Sequence, residues 1–278
     1  MEGWIGKNAG AVFGYLNEAA NNGGAYLAKA NATSNAKTVF AQAQKAYLVL
    51  HAEPEFDCGN PQQAKLALNQ AEMVIVMSPF KHGMDYADVL LPVSPFTETA
   101  GTFVNCEGRA QSFHGVVKPL GETRPAWKVL RVLGNLLGLI NFDYETAEAV
   151  RDEVLGKNVT DLSSQLNNFA AIAPKLADIV SSGLERVSDV PIYSTDAIVR
   201  RAESLQKTMD AKAPSDWLSK AEFNKLDIKN GDYIKLTQDN GSVILPAALD
   251  ASLPDNVVRV AAGLAATQTL GAMFGSIS

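Results

Sequence analysis

Short apolar runs separated by polar segments dominate the first hundred residues. The first runs over residues 46–50 and the second over residues 73–77, and each has the length of a strand rather than of a helix. Between them, Asn60 and Pro61 supply the cap and first-turn proline of a helix over residues 62–71. Strand, helix and strand within about 30 residues predict a βαβ unit with a parallel sheet whose strands are buried on both faces.

A third strand is predicted over residues 88–91, where it ends at Pro92. Ligands of open parallel sheets bind beyond the carboxyl ends of the strands. The candidate ligand loops are therefore those that begin at His51, Ser78 and Pro92.

The segment 96–113, with the sequence FTETAGTFVNCEGRAQSF, has the pattern of neither a helix nor a strand. Gly101 and Gly108 allow the backbone to turn or to approach a neighbour closely. Between and beside them lie short polar and charged groups. We predict a loop dense in hydrogen-bonding groups.

An amphipathic helix is predicted after this loop, with Thr123 as its cap and Pro125 in its first turn. Its apolar stripe consists of Trp127, Leu130, Leu133 or Gly134, and Leu137. Core packing with a basic surface edge is the favoured interpretation. The alternative is a partner-docking face formed by Arg124, Lys128 and Arg131.

Residues 141–185 have a weaker pattern, which we interpret as a peripheral helical insertion. Thr146, Ala147 and Val150 are compatible with an amphipathic helix, and residues 161–180 with another segment. Farther on, Arg200 and Arg201 are adjacent and point in different directions in either kind of secondary structure. Pairing with internal carboxylates is therefore favoured over binding of an acidic partner.

From about Pro214 the pattern becomes that of a small β domain. Ser215 is predicted to cap a short helix through Asp216, Trp217, Leu218 and Phe223. Asn240-Gly241 is a turn dipeptide between strands over 233–237 and 242–247, which predicts a hairpin. A further strand is predicted over 257–261, and one or two strands are expected from upstream of residue 214.

The composition is that of an ordinary folded protein, with 47% apolar and 19% charged residues among 278. The net charge of −6 and the absence of a dense basic run argue against nucleic acid and anionic membrane surfaces as direct partners. No apolar stretch approaches the length of a membrane span. A soluble, cytosolic chain of two domains is expected.

Cysteine usage excludes a standard iron–sulfur cluster, because four thiolates are needed and only Cys58 and Cys106 are present. The three histidines, His51, His82 and His114, show no metal-ligand spacing. No catalytic constellation and no phosphate-loop motif stands out. We therefore predict neither a metal site nor catalytic residues.

The stretch ADVLLPVSPFTETAGTFVNCEGRAQ resembles the signature of the molybdopterin oxidoreductase superfamily, a strand followed by a loop that lines the pterin cofactor. Its flanks, among them QSFHGVVKPLGETRPAWKVLRVLGNLLGL and IYSTDAIVRRAESLQKTMDA, resemble the C-terminal part of the superfamily member found in NADH-quinone oxidoreductase, respiratory complex I. The resemblance implies a Rossmann-like α/β domain over residues 1–185 and a small double-psi β-barrel over 186–278, with the N-terminal part of that complex I protein missing.

The resemblance also implies which residues face the pterin dinucleotide. Glu53 and Pro54 follow the first strand, where molybdenum enzymes hold the dinucleotide, although His51 and Ala52 precede them where relatives carry a small residue. The other implied positions are Glu98, Gly101, Thr102, Asn105, Glu107, Gly108, Arg109 and Gln111. We expect a vestigial site, in which Glu107 and Arg109 hydrogen-bond the loop to itself and to neighbouring strands.

On this resemblance, the chain is expected to be a structural and assembly module of the peripheral arm, with other arm subunits as partners, at the cytoplasmic side of the inner membrane. No cofactor is expected in it, since the iron–sulfur clusters belong to the missing N-terminal part. The alternative is a fragment of an active molybdenum oxidoreductase that contributes to pterin dinucleotide binding. A third hypothesis, an independent nucleotide-binding protein, has only the βαβ unit in its favour.

Overall fold

The computed structural model describes residues 19–30, 34–157, 159–166, 183–211 and 215–278. The chain divides into two compact units: the first comprises Met1–Thr33 with Val93–Ala173, and the second Ser34–Pro92 with Pro174–Ser278. The domain boundary that the sequence predicts at residue 185 stays a prediction. Residue 185 lies within the strand Leu184–Val187.

Eleven strands occur in the described part of the chain: β1 Ala46–Leu50, β2 Met73–Ser78, β3 Val89–Pro92, β4 Gly101–Val104, β5 Ala110–Phe113, β6 Leu184–Val187, β7 Asp216–Leu218, β8 Tyr233–Gln238, β9 Gly241–Leu249, β10 Val257–Arg259 and β11 Gly275–Ile277. The α-helices there are α1 Asn22–Leu27, α2 Ala36–Ala41, α3 Pro54–Asp57, α4 Pro61–Gln70, α5 Ala126–Leu136, α6 Ala147–Leu155, α7 Glu203–Gln206 and α8 Lys220–Leu226. No helix among the described residues is long and apolar enough to cross a bilayer.

The parallel sheet has the order β1-β2-β3, which confirms the three predicted strands and their direction. Tyr47 and Val49 point into a core that includes Leu68 of α4. The prediction that the strands are buried on both faces is wrong for β1, because Leu48 and Leu50 alternate with the core residues and are exposed. The apolar run therefore did not distinguish a strand covered on one side from one covered on both.

Helix α4 begins where its local sequence predicts. The side-chain oxygen of Asn60 accepts a hydrogen bond from the Gln63 N–H at 3.0 Å, and Pro61 occupies the first turn. The cap satisfies one of the amide groups that a helix N-terminus leaves without an internal partner.

The signature segment is a hairpin rather than an irregular loop, so the prediction for residues 96–113 is corrected. After a 3₁₀ turn at Phe96–Glu98, β4 and β5 pair antiparallel, with Thr102 opposite Ser112. The polar residues that suggested a loop lie in the turn and on the exposed positions of the two strands.

Six strands of the second unit form a curled sheet with the order β11-β6-β10-β7-β9-β8. Thr237 of β8 and Ser278, which follows β11, exchange two backbone hydrogen bonds, so the first and last strands of this order also meet. Ten buried apolar residues fill its core, among them Leu218, Leu236, Val258 and Leu270.

Most of the β pattern predicted for this unit is confirmed, but its first helix is displaced. Residues 216–218 form β7, and Ser219 rather than Ser215 caps the helix, since its hydroxyl accepts from the Glu222 N–H at 3.3 Å. The predicted hairpin is β8–β9, although its two-residue loop is Asp239-Asn240. Strand β6 supplies the expected contribution from upstream of residue 214.

Helix α5 is present, but its start and its packing differ from the prediction. Thr123 does not cap the helix, because its hydroxyl donates to the Leu120 carbonyl, and Pro125 stands at the N-cap. Of the residues within α5 only Gly134 is buried, so the apolar stripe is half-buried at most.

The helix expected near residues 146–150 is α6, and Thr146 caps it by accepting from the Ala149 N–H at 3.1 Å. Of the next predicted segment, residues 161–180, the part from residue 167 onward lies outside the described residues.

Candidate functional site

The tip of the β4–β5 hairpin is closed by Asn105. Its side-chain oxygen accepts hydrogen bonds from the N–H groups of Glu107, at 3.0 Å, and Arg109, at 2.9 Å. Gly108 has a φ of +85°, a left-handed conformation that side chains with a Cβ seldom adopt. The turn is therefore shaped by one amide side chain and one glycine.

The outer side of this turn is covered by a later segment of the same unit. The Leu162 N–H donates to the Gly108 carbonyl at 2.7 Å, and the Ala110 N–H donates to the Thr160 carbonyl at 2.9 Å. A Cβ added to Gly108 would lie 2.4 Å from the backbone nitrogen of Ser163. Gly108 thus leaves room for the backbone of Ser163. That residues 160–163 cover the turn was not predicted from the sequence.

Glu107 and Arg109 do not act as predicted. Both side chains are exposed, and among the described residues neither makes a side-chain hydrogen bond. The bonds that hold the turn to itself come from Asn105 instead. The pKa of Asp161 is lowered mainly by hydrogen bonds from Ser163 and to a smaller extent by the charge of Arg109.

The remaining implied residues of the first unit also have partners within it or face solvent. The hydroxyl of Thr102 lies 2.9 Å from that of Ser112, and Glu98 accepts from the Leu120 N–H at 3.0 Å. Gly101 lies against the ring of Phe113, which a Cβ would meet at 2.6 Å. Gln111 is exposed.

In the second unit, Glu53 stands just beyond the carboxyl end of β1 and is only 1% exposed. Arg200 donates a hydrogen bond from Nε to its Oε2 at 3.1 Å, and Nη2 of Arg200 forms an ion pair with the same oxygen at 2.9 Å. Arg201 forms an ion pair with its Oε1. Arg200 also pairs with Asp57 at 2.9 Å. The prediction that the two arginines serve internal carboxylates is confirmed.

The charge state of Glu53 is set by these two arginines. Burial alone would raise the pKa of this carboxyl, but the hydrogen bonds and charges of Arg201 and Arg200 hold it below its usual range. The Glu53 N–H also donates to Asp57 at 2.7 Å, and Pro54 begins the short helix α3. The residues that the resemblance assigns to the dinucleotide are therefore already bonded inside the chain.

A second polar group lies in the loops beyond β1 and β2. Tyr86 donates its hydroxyl to Glu55 at 2.8 Å, and Nδ1 of His82 lies 3.9 Å from the other oxygen of Glu55. All three residues are buried, and the pKa of Tyr86 is raised by burial and by the nearby negative charge of Glu55. Sequence analysis did not single out this cluster, whose members lie far apart in the chain.

His51 stands close to the position where the resemblance implies a small residue, and its backbone conformation is unusual for a residue with a Cβ. It has a φ of +52°, in the left-handed region, and its N–H donates to the Met77 carbonyl at 2.9 Å. A small residue such as glycine would adopt this conformation without strain. The backbone conformation is thus one that favours the residue type which relatives carry near this position.

A buried arginine and a buried aspartate lie in the curled sheet. Arg186 donates to Gln238 at 2.9 Å, whereas both carboxyl oxygens of the fully buried Asp216 lack hydrogen-bond partners among the described residues. Burial raises the pKa of Asp216 to about 7, against the opposing effect of Arg186, and lowers the pKa of Arg186 to about 10. Asp216 is accordingly a proton-binding group near neutral pH.

Metal-binding and thiol chemistry find little support in the described residues. No cluster of three or more His, Cys, Asp or Glu residues among them is arranged to hold a metal ion. Cys58 and Cys106 are free thiols. Burial, with the charges of Asp57 and Glu55, raises the pKa of Cys58 to about 11, so this thiol is protonated at neutral pH.

Residues 1–136 match the family model described as Molybdopterin oxidoreductase. This part of the chain is similar to that family, and it contains both the hairpin and the Glu53 loop.

Individual relatives are similar to shorter segments of the chain. A protein named "Putative formate dehydrogenase" from Staphylococcus aureus strain bovine RF122 / ET3-1 is 42% identical over 69 residues, which are 25% of this chain and 7% of that protein. One of the same name from strain USA300 is 36% identical over 89 residues, 32% of this chain and 9% of that protein. The matched segments thus span less than a tenth of either relative.

Among solved structures, Acetylene Hydratase from Pelobacter acetylenicus has a similar fold, with a TM-score of 0.59 and 15% sequence identity. The similarity covers 82% of this chain and 38% of that one. It supports the mixed α/β fold, with its parallel and curled sheets.

Proposed function

We propose that this chain is a structural and assembly module of the peripheral arm of NADH-quinone oxidoreductase, built on a molybdopterin oxidoreductase fold and without a redox centre of its own. The parent complex transfers electrons from NADH to quinone through groups outside these residues. The partners are the other subunits of that arm, on the cytoplasmic side of the inner membrane. The curled sheet would be the double-psi barrel of the family.

The observation that carries this proposal is the ion pairing of Glu53. A residue that held a dinucleotide would need free acceptor positions on its carboxylate, whereas Arg200 and Arg201 take both oxygens of Glu53. The segment around Ser163 likewise covers the glycine of the signature turn. These residues do not fit a pterin dinucleotide as they stand, so no step of a reaction is derived through one.

A second candidate is supported by the relatives. The proteins named "Putative formate dehydrogenase" share 42% and 36% identity with segments of this chain. On that account the chain contributes to binding a pterin dinucleotide in an active molybdenum oxidoreductase. Arg200 and Arg201 would then have to release Glu53 before the cofactor could bind.

Co-expression of the tagged chain with the peripheral-arm subunits from the same genome tests the first candidate. Native mass spectrometry of the purified material should show this chain in a stoichiometric assembly with those subunits. Recovery of the chain without them, but with stoichiometric molybdenum and pterin, would contradict the proposal and favour the second candidate.

A further inference from the structure

A groove of about 770 Å³ lies in the first unit, bordered by the loop after β5 and by the first turns of α5 and α6. Neither the hairpin tip nor the Glu53 loop belongs to it. Its basic lining residues are His114, Lys118, Arg124 and Lys128. The groove therefore brings together basic residues from two neighbouring segments, 114–119 and 124–128.

The two acidic side chains of the lining are already engaged. Glu98 accepts the hydrogen bond from the Leu120 N–H at 3.0 Å, and Glu148 lies 3.8 Å from Nδ1 of His114. The hydrogen bond leaves the negative charge of Glu98 in place, so the lining contains two carboxylates, Glu98 and Glu148.

The other three cations have little compensation. Among the described residues, Lys118 and Lys128 have no ion-pair partner, although Lys128 lies over the ring of Trp127. Among the described residues, Arg124 pairs only with Glu122, at 3.7 Å, and the Glu122 side chain is 96% exposed. Such an exposed pair contributes little. The lysine and arginine side chains of the lining, Lys118, Arg124 and Lys128, outnumber its two carboxylates, Glu98 and Glu148.

Apolar side chains stand among these cations. Val116, Val117 and Leu120 are 81%, 59% and 77% exposed, and all three belong to the loop that carries Lys118. A small inorganic anion would neutralise the cations and leave these aliphatic side chains in water. A ligand with both carboxylates and apolar side chains would satisfy both parts of the surface.

We infer that this groove docks an acidic, amphipathic segment of a protein partner. Carboxylates of the segment pair with Lys118, Arg124 and Lys128, while its apolar side chains cover Val116 and Val117. The inference rests on the proposed function, because an assembly module needs such partners. It assigns one contact surface to them. The docking face that the sequence left open consisted of Arg124, Lys128 and Arg131, and the groove contains the first two but not Arg131.

The test uses the full 278-residue chain and a fluorescent peptide composed of Glu, Leu and Ala, with binding measured by fluorescence anisotropy. The peptide should bind, and its affinity should fall as salt screens the charges. The double variant Lys118→Glu and Lys128→Glu should bind the peptide about tenfold more weakly or worse, because like charges then face each other. The double variant Val116→Ser and Val117→Ser should weaken binding about threefold and leave the salt dependence unchanged.

The matched control is Lys45→Glu with Lys229→Glu, the same change of charge at exposed lysines of the second unit that do not line the groove. It should leave the affinity within about twofold. Circular dichroism confirms folding, and Lys118→Gln with Lys128→Gln supplies a milder variant should the charge reversal unfold the protein.

The inference is overturned if the control variant loses as much affinity as the Lys118 and Lys128 variant. It is also overturned if a peptide with Lys in place of Glu, or one with Ser in place of Leu, binds as tightly as the original peptide. The last would identify a simple anion site. Self-association that the Lys118 and Lys128 changes abolish would instead assign the groove to a second copy of the chain, and would also overturn it. Failure of this test together with co-purification of the arm subunits would reject the groove and leave the proposed function intact.

Discussion

The Nη2 atom of Arg200 lies 2.9 Å from Oε2 of Glu53, although 147 positions separate the two residues in the sequence. The pair joins the loop beyond β1 to the turn at Val199–Arg201, and Arg201 takes the other carboxylate oxygen. The loop that resembles a dinucleotide-binding loop is thus held by charges from the same chain.

Removing both arginines should destabilise the second unit strongly. Arg200→Ala with Arg201→Ala leaves Glu53 buried without a counter-charge, which should lower the free energy of unfolding by about 3 to 5 kcal/mol. Urea denaturation followed by circular dichroism measures this loss. Adding Glu53→Gln should restore part of it.

The control for that prediction is Lys45→Ala, which removes one side of an exposed ion pair with Glu72. Its effect should stay below about 1 kcal/mol. A double arginine variant as stable as this control would show that Glu53 does not depend on Arg200 and Arg201.

Asp216 should give the protein a pH-dependent stability near neutrality. Its pKa of about 7 in the folded chain compares with about 3.9 in an unfolded one. Between those values the folded state binds the extra proton, so the free energy of unfolding should fall as the pH rises from about 4 to 7.

Asp216→Asn should remove this slope. At pH 8 it should also raise the free energy of unfolding by on the order of 2 kcal/mol, because no buried carboxylate then has to ionise. Unfolding midpoints measured from about pH 4 to 8, a range that covers the interval between the two pKa values, test the prediction. Identical slopes for the wild type and the variant would assign the pH dependence to other groups.

Glycine at position 51 should stabilise the protein. His51 has a φ of +52°, and relief of a left-handed conformation at a residue with a Cβ is worth about 1 to 2 kcal/mol, less the greater entropy of glycine in the unfolded chain. His51→Gly should therefore gain roughly 0.5 to 1 kcal/mol in thermal or urea unfolding. A loss of stability would mean that the imidazole makes a contribution larger than the strain.

Alanine at position 108 should lower the free energy of unfolding more than alanine at position 121, where the glycine also has a positive φ. A Cβ on Gly108 would meet backbone atoms of Ser163, and φ is +85° there, whereas Gly121 has a φ of +57° with open space around it. Gly121→Ala should cost about 1 kcal/mol from strain alone, and Gly108→Ala at least about twice that. Equal costs would mean that residues 160–163 do not cover the turn.

Local rules predicted much of the second unit's architecture. Asn60 and Pro61 define the start of α4 because capping depends on neighbouring residues alone, and the apolar runs locate β1 and β2. The β8–β9 hairpin follows from a turn sequence between two strands of regular pattern. The three-residue strand β7 was missed because so short a run has no periodicity, although Ser219 and Glu222 have the spacing of a helix start.

The hairpin of the first unit was harder to predict because tertiary contacts shape it. Gly101 and Gly108 suggested an irregular loop, yet each glycine makes room for a neighbour, the ring of Phe113 or the backbone of Ser163. Nothing in the local pattern indicates that residues 160–163 pair with the turn.

The candidate site was predicted in part. Resemblance supplied Glu53, and the adjacent arginines indicated an internal carboxylate, but no sequence rule identifies Glu53 as the partner of Arg200. The buried cluster of Glu55, His82 and Tyr86 combines residues from two loops, which only the parallel sheet brings together.

Cofactor analysis of the purified protein tests the central claim most directly. The full chain, produced in a host that makes molybdopterin dinucleotides, is measured for molybdenum and tungsten, and the acid-released fraction for the fluorescence of oxidised pterin. We predict that neither metal nor pterin accompanies the chain above trace level. Stoichiometric metal together with pterin would contradict the account and make the Glu53 loop and the Asn105 turn parts of a working cofactor site.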